Sequence, residues 1–146
     1  MAYFIFNKYE GSGNLYKIQE NLSDLNNTNI NQNDYKIIED TQENFNFVKY
    51  GLKYVSCQNN TLIFENSVLT PFKNKEELQE NIKSLVYQIN QFLDWNTSHP
   101  FYNRWSTYKN QLNNLNLNSI TYPLNKTLEQ YLNDVGQPSY NILQLP

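Results

Sequence analysis

Apolar and polar residues follow two different rhythms along this chain. Tyr3-Phe4-Ile5-Phe6 is a compact aromatic and β-branched run, and Leu15-Tyr16-Lys17-Ile18 follows after Gly11-Ser12-Gly13-Asn14. That order predicts a hairpin whose turn uses the positive φ angles open to glycine. A lone hairpin is marginal in water, so further strands are expected to join it. Tyr35 to Glu39 is the best next strand, reached through a polar connection, Asn21 to Asn33, pinned by Leu22, Leu25 and Ile30. Thr41 caps a predicted helix from Gln42 to Tyr50, with Phe45, Val48 and Tyr50 inward and Gly51 as its stop. Leu52-Lys53-Tyr54-Val55 and Leu62-Ile63-Phe64-Glu65 then flank Cys57-Gln58-Asn59-Asn60 as a second hairpin.

The rhythm changes after Pro71. Asn74 and Glu77 give a capping-box signature, and Leu78, Ile82, Leu85, Ile89 and Phe92 recur at alternating steps of four and three, which places them on one helix face. Val86 and Leu93 widen that face. Beyond a break at Asp94 to Pro100, Phe101, Trp105, Tyr108, Leu112 and Leu115 repeat the spacing. Two matching seams joined by a short polar link predict an antiparallel helical hairpin. Its burial barely offsets the cost of ordering its backbone, so the sheet or a second copy of the chain is expected to cover it. Thr127 and Gln130 start a short extra helix with Leu128, Tyr131, Leu132 and Val135 inward and Gly136 as its stop, and Gln137 to Pro146 reads as an extended tail that folds back or clasps a neighbour.

The fold class expected is therefore α+β: a small, mainly antiparallel N-terminal sheet, then the helical hairpin and the short helix. No linker divides the chain, which reads as one domain over 1–146, β-rich over 1–70 and helical over 71–146.

Composition narrows the function classes. Aromatic residues reach 15% although the hydrophobic fraction is only 39%, which implies a folded core built on large rings. A net charge of -3 with scattered Lys and Arg supplies no field for a polyanion, so nucleic acid is excluded as the expected partner. Cys57 is the lone cysteine, which rules out an internal disulfide and fits a reducing compartment. The N-terminus lacks a signal-peptide pattern and no apolar run is long enough for a membrane span, so a soluble cytoplasmic protein without a membrane partner is expected.

Residues that could carry chemistry read more simply as structure. His99 before Pro100 suits a turn or cap, and His99 and Cys57 show no local metal-ligand pattern. Cys57 is expected in a hairpin turn, without the base and oxyanion site that a nucleophile needs. Glu39 and Asp40 point to opposite faces of a strand, while Glu76 and Glu77 suit the first turn of a helix. Gly11-Ser12-Gly13 lacks the lysine and following helix of a phosphate loop. No catalytic, cofactor-binding or metal-binding residues are predicted, and a non-enzymatic protein is expected.

One stretch is more specific. Trp105-Ser106-Thr107-Tyr108-Lys109-Asn110-Gln111-Leu112, continuing to Ile120-Thr121-Tyr122-Pro123, resembles a pattern in tail-fibre assembly proteins of tailed bacteriophages. In that family a helix bearing Trp-x-x-Tyr-Arg-x-x-Leu precedes an Ile-Thr-Trp-Pro-like exit. Lys109 stands where the family usually has Arg, and Tyr122 where it usually has Trp. The resemblance covers about twenty residues and implies a chaperone-like protein that contacts tail-fibre polypeptides in the host cytoplasm and in some relatives stays on the virion. Trp105, Tyr108, Lys109, Leu112, Tyr122 and Pro123 would mainly shape the fold, with Pro123 turning Tyr122 back over the aromatic patch. Partner contact would fall to the exposed edge of the N-terminal sheet. The competing reading is a permanent virion component of neck, baseplate or capsid; a glycan- or small-ligand-binding module ranks below both.

Overall fold

The computed structural model describes residues 1–8, 13–28, 30, 31 and 33–146. The chain is α+β, with antiparallel sheets first and helices after them. Two compact units can be distinguished: Met1–Val68 with Leu143–Pro146, and Leu69–Ile142.

In the first unit β1 (Ala2–Asn7) buries Ala2, Phe4, Ile5 and Phe6, too many apolar groups for an edge. It takes the centre of a three-stranded antiparallel sheet, between β2 (Leu15–Gln19) and β3 (Tyr35–Asp40). The register sets Phe4 beside Ile18 and Ile38, and Ile5 beside Lys17 and Ile37, so these two sets lie on opposite faces. The expected connection between β2 and β3 contains a short helix, α1 (Leu22–Asn26), because the Asn21 side chain accepts from the Asp24 N–H at 2.9 Å. Leu25 and Asp24 are buried there; Leu22, expected as a second pin, is 56% exposed.

α2 (Gln42–Lys49) forms as its sequence predicts. Thr41 Oγ1 accepts from the Asn44 N–H, and Gly51 at φ +73° lets the Gly51 and Leu52 N–H groups close on Val48 and Phe47 carbonyls. Phe45 and Val48 face inward onto Phe4, Phe6, Ile18 and Val55, while Tyr50 at the C-cap is only half-buried. β4 (Lys53–Gln58) and β5 (Thr61–Asn66) are joined by Asn59 and Asn60 at φ 50° and 64°. Two positive φ angles make the two-residue turn that matches strand twist, and asparagine tolerates them. Cys57 is therefore not in the turn, as expected, but inside β4 and buried.

Of the glycine turn expected before β2, Gly11 and Ser12 lie outside the described residues. Gly13 has φ +66°, and a Cβ placed there would come within 2.4 Å of the Cys57 carbonyl oxygen. That approach joins the two sheets: the Cys57 N–H donates to the Gly13 carbonyl at 3.1 Å, and Asn14 bridges Ser56. The end of the chain completes the same unit. Leu143 packs on its core, Gln19 Nε2 donates to the Gln144 carbonyl at 3.1 Å, and Lys17 Nζ donates to the Leu145 carbonyl at 2.5 Å. Burial holds the Lys17 ammonium pKa below its usual value. The tail thus folds back, with a 3-10 turn at Ile142–Gln144.

In the second unit α3 (Lys75–Trp95) buries Leu78, Ile82, Leu85, Ile89, Phe92 and Leu93. Asn74 Oδ1 accepts from the Glu77 N–H at 3.0 Å, while the Glu77 carboxylate reaches the Lys73 N–H at 2.7 Å, one residue before the position a strict capping box uses. α3 runs through Asp94 and Trp95, further than the expected break allowed, and ends where Asn96 Nδ2 donates to the Phe92 carbonyl. α4 (Tyr102–Asn113) packs back along it. His99 starts this helix as a cap: its Nδ1 accepts the Phe101 N–H at 2.9 Å and its ring lies between Phe92 and Phe101. Leu115 continues the seam beyond the helix end, and a 3-10 turn follows at Leu117–Ser119. α5 (Leu128–Asp134) is capped by Thr127 and stopped by Gly136 at φ +75°. Leu128 and Leu132 are buried, but Val135, expected inward, is 49% exposed at the C-cap.

Both glycines lie at positive φ, so alanine at either is expected to cost about 1–3 kcal/mol of backbone strain, and Gly13→Ala more than Gly136→Ala, because its Cβ would also meet the Cys57 carbonyl while open space surrounds Gly136. Urea unfolding of both variants checks this; equal losses would contradict the close approach at Cys57.

Candidate functional site

Of the residues singled out by the sequence, Trp105 and Tyr108 form a packed aromatic lock with Tyr140. The spacing along α4 puts Trp105, Tyr108 and Leu112 on its inner face, all buried, with Lys109 half-buried beside them. Trp105 and Tyr108 meet edge-on with centroids 5.9 Å apart, and Tyr140 from the tail lies 5.5 Å from Trp105 and 5.3 Å from Tyr108. The Tyr108 hydroxyl donates to the Tyr140 carbonyl at 3.1 Å. Burial first, and then the Glu129 charge, push the Tyr108 phenol well above its usual range, so it stays a neutral donor. Gln111 Nε2 donates to the Pro138 carbonyl at 2.8 Å, and the Arg104 guanidinium lies 4.0 Å over the Phe101 ring and 5.5 Å from Tyr140. Ser139, between these anchors, is buried.

Tyr122 does not return over this patch, contrary to the sequence expectation. Its hydroxyl donates to the Leu117 carbonyl at 3.1 Å, and the Tyr122-Pro123 peptide is cis. Leu124 then exchanges two backbone hydrogen bonds with Phe72, at 2.8 and 2.9 Å, which hold the exit beside the start of α3. Tyr122 is half-exposed and Pro123 exposed. Burial, then the Glu76 charge, raise the Tyr122 phenol pKa. Tyr140 occupies the place foreseen for Tyr122.

Two clefts flank this lock. One of about 340 Å³ lies between Asn103, Thr107 and Gln111 of α4 and Pro138 with Tyr140. A larger groove of about 570 Å³ has an aliphatic floor of Ile82, Val86, Leu112 and Leu115 and a rim including Lys83 and Asn113. Among the described residues, no group of three His, Cys, Asp or Glu side chains is placed to hold a metal ion, and no helix is long and apolar enough to cross a membrane. His99 is used as a cap and Cys57 is packed in β4.

Among the described residues two open features stand out, a strand edge and a helix face. β2, β3, β4 and β5 all lie at sheet edges; the β2 and β4 sides meet through the Gly13–Cys57 hydrogen bond and the Asn14–Ser56 bridge, which leaves β3 and β5 without a strand on the other side among the described residues. They differ in protection. β3, Tyr-Lys-Ile-Ile-Glu-Asp, carries Lys36, Glu39 and Asp40; β5, Thr-Leu-Ile-Phe-Glu-Asn, carries only Glu65 and neither Lys nor Pro. Charges and proline are the usual means of blocking an edge, so β5 is the less protected of the two. Leu62 and Phe64 face the core, which turns Ile63 to the other face with Tyr54, 65% exposed. On α3, Tyr87 and Trp95 are exposed opposite the buried seam. Sequence reasoning passed over Tyr140, Tyr87 and Trp95, although the last two sit at a helical spacing of eight with Gln91 midway.

Trp105→Ala is expected to cost about 3–5 kcal/mol, as removal of a buried aromatic does, and Tyr122→Ala less than half of that. Urea denaturation of the two variants decides the matter; comparable losses would mean that Tyr122 carries as much of the lock as Trp105. Comparison of the chain with protein-family models, with curated proteins and with solved structures finds no match.

Proposed function

We propose that this is a non-enzymatic protein of tailed bacteriophages that acts in tail-fibre or virion assembly through protein–protein contacts. The resemblance of Trp105 to Leu112 and Ile120 to Pro123 to tail-fibre assembly proteins motivates the phage assignment. The observation that carries the mode of action is the unprotected edge of β5. An extended segment of a fibre or other virion polypeptide adds there as a further strand, its main-chain hydrogen bonds giving affinity and the exposed Tyr54 and half-buried Ile63 reading its side chains. Trp105, Tyr108 and Leu112 are too deeply buried to touch a partner; in this reading they build the scaffold.

Hydrogen exchange of the protein mixed with the fibre polypeptide encoded by the same phage tests the proposal. The amides of Thr61–Asn66 are expected to slow on binding, and Ile63→Lys, which places a charge beside the edge, is expected to weaken binding by at least about tenfold, or 1.4 kcal/mol. Binding with unchanged exchange in β5 would move the contact elsewhere. No binding to any virion polypeptide would contradict the assembly reading itself.

A further inference from the structure

α3 presents two unlike sides. Its seam is buried, while on the outer side Tyr87 stays 64% and Trp95 88% exposed. Such exposure is unusual for tryptophan, which is highly buried on average. Tyr87, Gln91 and Trp95 stand at i, i+4 and i+8, a single ridge along the helix. Gln91 Nε2 donates to the Tyr87 hydroxyl at 3.1 Å, which fixes that ring against its own helix and lowers the ordering cost of covering it.

We propose that this ridge is a self-association surface on which two copies of the chain pair antiparallel, with Gln91 at the two-fold axis. The ridge is self-complementary. Tyr87 and Trp95 each lie about 6 Å along the helix from Gln91, one on either side, so a rotation about that axis brings Tyr87 of one copy beside Trp95 of the other. An isologous interface requires this match. Ridges of i±4 residues on both helices also pack in the commonest crossing class. Gln91 meets its own copy at the axis, and an amide, being donor and acceptor at once, pairs with itself where a charge would not.

Area sets the strength. Four rings exposed to this extent hide on the order of 600 Å² when covered. With the exposed Ser84 and Gln88 beside the ridge, the total approaches about 1,000 Å², the lower bound for a specific interface. The dimer is therefore concentration-dependent and not permanent. Nothing in this inference depends on the phage assignment or on β5.

Sedimentation of the full chain from about 1 μM to about 500 μM, read together with tryptophan emission, tests it. Trp105 is fully buried and keeps a constant emission, so Trp95 alone reports the interface. The mass is expected to rise from one copy toward two while the emission moves to the blue. Trp95→Ala abolishes the dimer while the melting temperature at about 1 μM, where the chain is monomeric, stays unchanged. Gln91→Glu sets two carboxylates at the axis, weakens the dimer at least about tenfold at pH 7, and loses that effect as pH falls below the ordinary glutamate pKa of about 4.3. A chain that stays monomeric throughout, a dimer that survives Trp95→Ala, or one indifferent to Gln91→Glu overturns the proposal.

Discussion

The contact of Tyr140 with Trp105 and Tyr108 is what the helical unit depends on. α4 has no acidic residue in its first turn, no basic residue in its last and no side-chain cap from its N-cap residue Phe101, so little in the helix itself favours it. A helix of that kind is stable when its apolar face is covered. α3 covers one part of the face, and Tyr140 closes the part that carries the two largest rings. The hydroxyl of Tyr108 and the amide of Gln111 fix the tail by its backbone carbonyls at Tyr140 and Pro138, so the tail's path matters as much as its side chains. Three residues further on, Leu143 and Gln144 become part of the sheet-bearing unit. The tail is a structural component of each unit in turn.

That arrangement separates what builds the protein from what is free to act. The residues that resemble the phage family are mostly consumed in packing: Trp105, Tyr108 and Leu112 are buried, and the Tyr122 hydroxyl is used on Leu117. In the proposed reading, contact with other molecules falls to groups the fold leaves open. β5 has a nearly uncharged edge, whereas β3 is guarded by Lys36, Glu39 and Asp40. The proposed assembly role rests on that difference and on the resemblance, and the two bear on separate halves of the chain.

Much of this architecture was legible in the residues because it arises from local rules. Thr41, Asn74 and Thr127 each accept a backbone N–H at the helix start that the sequence marks, and Gly51 and Gly136 stop their helices at positive φ. The alternating three and four spacing from Leu78 to Phe92 needs only helical geometry to define a buried face. What escaped depends on distant parts of the chain. Tyr140 stands in an irregular stretch without periodicity, and only the folded tail reveals it as the partner of Trp105. Cys57 was misplaced because two asparagines suffice for the turn, which left β4 longer than its apolar run suggests. Trp95 sits among Asp94, Asn96 and Thr97, a polar context that reads as a helix break, and its place on the outer face follows no seam. Leu22, an apolar residue in a polar connection, and Val135, in step with Leu128 and Leu132, read as inward, but both sit at helix ends where the inward face is not yet, or no longer, presented.

In the proposed reading the aromatic motif holds the fold while the open edge of β5 meets the partner. Hydroxyl-radical footprinting of the protein, free and in the complex recovered from phage-infected cells, separates the two roles. A virion polypeptide is expected in the complex, with Tyr54 and Ile63 losing reactivity there and Trp105 and Tyr108 unreactive in both states. Loss of reactivity confined to α4 and the tail, with Tyr54 and Ile63 unchanged, would contradict it.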